Sequence, residues 1–172
     1  MSHNISEKKI EYSVELIKKI LPINPNKTLI WDMKIPYDRN GKKNQYWKSQ
    51  TIDYEKHIQG ELNQGGNLCY EDENGNKVAK ASVCDVDTPI EANEFCKKLF
   101  SVDSTAIPIR SPSGKNWHVY KFHTKPIPVK EAHQWARDIG FKLADLGYKI
   151  DFGKCNPSSS GSDVGINLPF NN

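Results

Sequence analysis

The sequence predicts an α+β protein in which a smaller N-terminal α/β lobe packs on a sheet of order β-α-β-β-α-β, the RRM-like or ferredoxin-like arrangement. Three observations carry this. A β-rich run covers residues 78–86, and two stretches with helical spacing follow it. Between those stretches lie two short β-like runs split by the turn Ser111-Pro112-Ser113-Gly114-Lys115.

The N-terminal elements come first. Residues 6–21 read as an amphipathic helix, 28–33 as a strand and 51–62 as a second helix, before a hairpin turn at Asn74-Gly75. After the run at 78–86, Thr88-Pro89-Ile90-Glu91 fits a helix start, with Thr at the N-cap, Pro at the first helical position and Glu closing a capping box. Ala92, Phe95, Cys96, Leu99 and Phe100 then form one apolar stripe. Residues 106–110 and 116–122 read as strands, the second ended by Pro126 and Pro128. Val129, Ala132, His133, Ala136, Gly140, Leu143 and Ala144 mark a helix face that stops near Gly147, and 148–152 is the last strand.

Composition sets wide bounds. A chain of 172 residues can bury one sizeable core, as one module or two interlocked lobes. Its 37% hydrophobic and 26% charged residues are ordinary for a soluble domain, and a net charge of +3 permits a polyanionic partner without requiring one. No apolar stretch approaches a membrane span and no hydrophobic signal region opens the chain, so no membrane association and a cytoplasmic location are expected. Cys69, Cys84, Cys96 and Cys155 lack Cys-x-x-Cys spacing, which favours reduced core thiols over a structural zinc site.

The chemistry concentrates at Asp85-Val86-Asp87. Two carboxylates two residues apart on a strand share a face, roughly 7 Å apart, and their repulsion is relieved when they grip divalent cations. In a β-α-β-β-α-β sheet the fourth strand lies beside the first and the first beside the third, which brings Asp85, Asp87, His118 and Asp151 onto three adjacent strands. Taken singly, His118 could be a satisfied sheet histidine and Asp151 a strand-edge charge; their convergence favours a site. A pair of cations about 4 Å apart needs a third acid, supplied by Asp151 with Asp163 as the fallback. Arg110, Ser111, Ser113, Gly114 and Lys115 suit a triphosphate tail, although no Walker pattern is present. Lys34, Arg39, Lys42, Lys43 and Lys48 interleave with Tyr37, Tyr46 and Trp47, as in a single-strand template groove; a solvated loop with one buried tryptophan is the other reading.

Together, Val83-Cys84-Asp85-Val86-Asp87, Ser113-Gly114-Lys115-Asn116-Trp117-His118-Val119-Tyr120 and Ile150-Asp151 resemble the three motifs of archaeo-eukaryotic primases, in particular the primase-polymerases of plasmids, phages and CRISPR loci. Ala136-Arg137-Asp138-Ile139-Gly140 and the ending Gly165-Ile166-Asn167-Leu168-Pro169-Phe170 are similar to the same family. The resemblance implies a two-lobed catalytic core, with residues 1–80 as the smaller lobe and 81–172 as the catalytic one. It implies that Asp85, Asp87 and Asp151 hold two Mg²⁺ or Mn²⁺ ions, while His118 contacts the phosphates of a bound dNTP or NTP and Ser113, Lys115, Arg110 and Asn116 assist. Asn116 departs from the family's usual Ser or Gly. Lys34, Pro36 and Trp47 match a lysine-proline stretch followed by tryptophan, which makes them the better candidates in the loop; with Lys42 and Lys43 from its basic and aromatic pattern, Lys34 and Trp47 are the expected template contacts. The implied activity is primer synthesis or DNA polymerisation on single-stranded DNA with a primer, in a module cut from a longer chain with helicase or other C-terminal domains, or in a short complete chain. A binding-only RRM-like module and a metal-dependent nuclease are the competing expectations.

Overall fold

The computed structural model describes residues 7–20, 28–31, 38–42, 44–88, 90–111, 114–161 and 165–167. Among these residues it is a mixed α+β architecture with two antiparallel sheets and four helices.

Helix α1 (Glu7–Ile20) turns Val14 and Ile17 into the core, three residues apart on one face. Strand β1 (Thr28–Trp31) pairs with β2 (Gln45–Lys48) on one edge, and on the other with β3 (Asn63–Gly66). Between β2 and β3 lies α2 (Tyr54–Ile58), much shorter than the helix expected over 51–62. Asp53 caps it by accepting from the Lys56 N–H at 3.1 Å, and the chain leaves it through Gly60, whose φ of 76° is open mainly to glycine. The Asn-Gln-Gly-Gly sequence of β3 carries no β propensity. Side-chain bonds hold it instead: the Gln64 Oε1 accepts from the Asp53 N–H at 3.1 Å, its Nε2 donates to the Asp53 carbonyl at 2.7 Å, and its own N–H donates to His57 Nδ1 at 3.2 Å.

The second sheet begins with β4 (Cys69–Glu71), joined by the expected hairpin to β5 (Lys77–Val86). The Asp72 Oδ1 closes the turn by accepting from the Asn74 and Asn76 N–H groups at 2.9 and 2.8 Å. Then come α3 (Ala92–Val102), β6 (Ile107–Arg110), β7 (Trp117–Pro128), α4 (Val129–Asp145) and β8 (Ile150–Asn156). Strand β5 pairs with β7 along one edge and with both β4 and β8 along the other, while β6 pairs with β7. Within the β-α-β-β-α-β unit, the fourth strand therefore lies beside the first and the first beside the third. Strand β9 (Ile166–Asn167) returns to pair with β3, giving the first sheet the order β2-β1-β3-β9. The chain passes from one sheet to the other between Gly66 and Cys69, and residues 166–167 go back, so a division at residue 80 runs through β5.

Two local expectations are corrected. Helix α3 starts at Ala92 with Glu91 at its N-cap and no side-chain bond there. Thr88 serves another element: its Oγ1 accepts from the Lys149 N–H at 2.8 Å, fastening the approach to β8, while Pro89 lies outside the described residues. Strand β7 runs on to Pro128 rather than ending before Pro126. Its register slips between the pairs Ala79–Ile127 and Ala81–Phe122, and a proline's missing N–H is tolerated where the ladder is already broken.

Alternation along β5 builds two cores. Cys84 and Val86 face α3 and α4, joining Phe95, Leu99, Trp117, Val119, Ile139 and Leu143. Phe95 stacks on Trp117 with ring centroids 5.1 Å apart. Ala81 and Val83 face the other way, packing with Tyr120, Leu68, Val14, Ile17, Ile58 and Ile166. That second core draws on both sheets, so the two halves share an interior.

Candidate metal centre

Asp85 is one residue from the end of β5, directly opposite His118 on β7 and opposite Asp151 on β8. Its position on the ladder gives it the same face as Val83 and Tyr120 beneath it, and only 5% of the residue is exposed. Asp87 follows the strand, its backbone N–H held by the Lys149 carbonyl at 2.8 Å. One carboxylate oxygen from each of Asp85, Asp87 and Asp151 lies within 4.8 Å of the others, and this cluster could hold a metal ion. An all-carboxylate donor set is hard, which suits hard divalent cations as a class, Mg²⁺, Mn²⁺ and Ca²⁺ among them.

A cation from the chain itself sits among the acids. Lys154 Nζ is 2.8 Å from Asp151 Oδ2 and 3.3 Å from Asp85 Oδ2. Lys154 reaches there through a bulge, because the register slips between the pairs Asp85–Asp151 and Val83–Asn156. On a regular strand a residue three after Asp151 would face the opposite way. The glycine at 153, inside a β run, was the one sequence sign of that irregularity. The Gly153 N–H also donates to Asp151 Oδ1 at 3.0 Å and steadies the third acid.

The three charges are perturbed in different directions. Burial pushes the Asp85 carboxyl above the usual aspartate range, and the neighbouring Asp87 and Asp151 charges add to this while Lys154 opposes it. The hydrogen bond from Lys154 holds Asp151 below that range. Burial works against the Lys154 ammonium, but the Asp151 bond and the Asp85 charge outweigh it and hold the group above the usual lysine range.

Of the other expected residues, some converge and some do not. His118 Nε2 is 3.6 Å from Asp85 Oδ1, with 7% of the residue exposed, so it borders the acids directly. The Asn116 amide donates to Asp87 Oδ1 at 2.8 Å and thus orients an acid. Arg110 is on the other face: it pairs opposite Trp117, its guanidinium lies 3.9 Å over that indole, and its Nη2 donates to the Ile90 carbonyl at 3.0 Å. With Lys115, Gly114, Ile90, Glu91 and Glu94 it lines a pocket of about 460 Å³ beside the start of α3. Strand alternation explains the separation, since Ile109, not Arg110, stands opposite His118.

Ser113, Asp163, Lys34, Pro36, Tyr37 and Lys43 lie outside the described residues. Lys42 is in an exposed turn whose backbone is closed on Asp38, with N–H to Oδ1 at 2.9 Å. Trp47 is on β2, opposite Leu29. Its neighbours Tyr46 and Lys48, with Lys18, Tyr54 and Lys56, help line a pocket of about 870 Å³ in the first sheet's half of the molecule.

No protein-family model and no curated protein matches this chain at a significant level. Function therefore rests on the residues themselves. Among the described residues no helix is long and apolar enough to cross a membrane. All four cysteines are free thiols, three of them buried.

Proposed function

We propose that the chain is a nucleotidyltransferase that extends or initiates a strand on single-stranded DNA, with Asp85, Asp87 and Asp151 holding two Mg²⁺ or Mn²⁺ ions and a dNTP or NTP as the donor. One observation carries the reading: three carboxylates from neighbouring strands converge within 4.8 Å, beside a buried histidine. The motif resemblance to primase-polymerases supplies the substrate class.

When bound, the ions would acidify the attacking 3′-hydroxyl and neutralise the triphosphate and departing pyrophosphate. The chain's own residues do the positioning. Asp85 and Asp151 present oxygens from adjacent strands, Asn116 fixes the Asp87 carboxylate, and His118 stands where it can donate to a phosphate oxygen next to the acids. No side-chain nucleophile is required.

A second reading is favoured by Arg110, whose engagement with Trp117 and Ile90 removes one expected triphosphate ligand from the acids. Metal-dependent phosphodiester cleavage needs the acids and no triphosphate. A binding-only module fits less well, because Asp85 and Asp87 would repel a phosphate backbone without metal.

Gel analysis of labelled template, with and without primer, in Mn²⁺ or Mg²⁺ separates these readings. Nucleotide-dependent products that disappear in Asp85→Asn and Asp87→Asn are expected. Cleavage without added nucleotides would move the assignment to a nuclease, and chelator-resistant DNA binding without any chemistry would move it to a binding module.

A further inference from the structure

Lys154 has no part in the site as expected from the motifs, yet it occupies the space between two of the acids. Its ammonium lies 3.3 and 2.8 Å from one carboxylate oxygen each of Asp85 and Asp151, two of the three residues that would hold a metal ion. Magnesium takes its carboxylate ligands at about 2.0–2.1 Å, so an ion held by those two carboxylate oxygens would compete with the ammonium for them. The lysine is built to leave. Its side chain is half exposed (52%) while that of Asp85 is almost wholly buried (7%), so Asp85 is held in place and the flexible four-carbon stem of the lysine can swing toward solvent.

We propose that Lys154 is an exchangeable counter-ion of the acid cluster: a divalent cation takes its place, and the displaced ammonium binds the phosphates of the incoming nucleotide. This rests on the metal-dependent reading above. The charges set the direction of each step. Without metal, the Asp85 and Asp151 carboxylates hold the lysine in place. Two divalent ions reverse the sign of the cluster and repel the ammonium, whereas the triphosphate that covers the ions' outer side attracts it. Tethered three residues from Asp151, the ammonium stays within reach of that side.

The proposal makes one substitution act in opposite directions on two ligands. Lys154→Met should bind Mn²⁺ about tenfold or more tightly in the absence of nucleotide, since a competing internal charge is gone. With Mn²⁺ saturating, the same variant should bind a non-hydrolysable nucleoside triphosphate about tenfold more weakly. Lys154→Arg, which keeps the charge, should stay near the wild-type protein in both titrations, and Lys154→Gln repeats the test if the Met variant does not fold. Free Mn²⁺ is read by electron paramagnetic resonance and triphosphate binding by calorimetry, with Asp85→Asn as the control. If wild-type Mn²⁺ binding depends on Asp85 but Lys154→Met binds no more tightly, the exchange is refuted and the metal reading stands. Tighter Mn²⁺ binding with unchanged triphosphate affinity refutes the transfer to phosphate. Wild-type protein with no Asp85-dependent Mn²⁺ binding refutes the metal reading and this inference together.

Discussion

The proposed metal site requires Asp85 to be charged in a place that resists charge. Burial and two neighbouring carboxylates raise its proton affinity, and Lys154 is what offsets them in the metal-free chain. Asp85→Asn should therefore abolish extension while leaving the metal-free melting temperature unchanged or slightly raised, as differential scanning fluorimetry would record. His118→Ala should lower kcat/KM for the nucleotide by about tenfold or more, about 1.4 kcal/mol per factor of ten, with both KM and kcat affected. Steady-state kinetics checks this; a loss of template binding with normal nucleotide kinetics would assign His118 to the DNA instead. The acids and the histidine were legible because strand alternation is a strict rule and the order of the β-α-β-β-α-β sheet is known. The same rule, applied to the hairpin pairing of β6 with β7, would have set Arg110 apart from His118. Lys154 was hidden because a bulge breaks the alternation, and a single glycine is a weak sign of where.

The elements that hold the site are fixed at a few close approaches. Helix α4 meets the sheet at Gly140, where an added Cβ would lie 2.9 Å from a Phe152 ring carbon, 3.2 Å from Ile150 and 3.3 Å from the Cys84 sulfur. Gly140→Ala gains helix propensity but must push α4 off β8, so a net loss of about 1 kcal/mol or more is expected in urea unfolding. At the end of α3, Asp103 ties three elements together: it accepts from the Thr105 N–H and hydroxyl at 2.9 and 2.6 Å and from the Trp135 indole on α4 at 3.1 Å, with Lys121 of β7 at 3.8 Å. Burial opposes its charge, but these partners outweigh burial and hold the carboxyl below the usual range. A depressed pKa contributes stability above the unfolded value and loses it as pH falls through the folded one. Asp103→Asn should thus cost about 1–2 kcal/mol at neutral pH, and the difference from wild type should shrink as the pH drops below the ordinary aspartate range. Periodicity makes α3 and α4 readable; α2 is shorter than its apolar spacing suggests because residues 51–53 only lead into the helix and the chain turns away through Gly60. Nothing in Asn-Gln-Gly-Gly announces β3, which is held by Gln64 bonding to Asp53 and His57.

Across the whole molecule, one core draws on both sheets, so the two should unfold as one cooperative unit. Ile166 comes from β9 in the first sheet and packs with Leu68, Val83 and Tyr120. Ile166→Ala should cost about 2–4 kcal/mol, and the transitions followed at Trp31 in one sheet and Trp117 in the other should move together. Separate transitions would mean that the halves fold independently. The return of β9 and the passage between sheets at 66–69 were not readable, since both depend on pairings between residues far apart in sequence. The way β5 is held has its own consequence. Strand β5 is gripped along both edges, by β7 on one and by β4 and β8 on the other, whereas β8 pairs with β5 alone among the described strands and bulges just after Asp151. Two acids therefore stand on or directly after a clamped strand and the third on a pliant rim, so differences in ionic radius, about 2.0–2.1 Å to oxygen for Mg²⁺ against 2.3–2.6 Å for Ca²⁺, would be taken up at Asp151. Lengthening that acid with Asp151→Glu should reorder the preference among Mg²⁺, Mn²⁺ and Ca²⁺, while Asp85→Glu, on the clamped side, should lose all three.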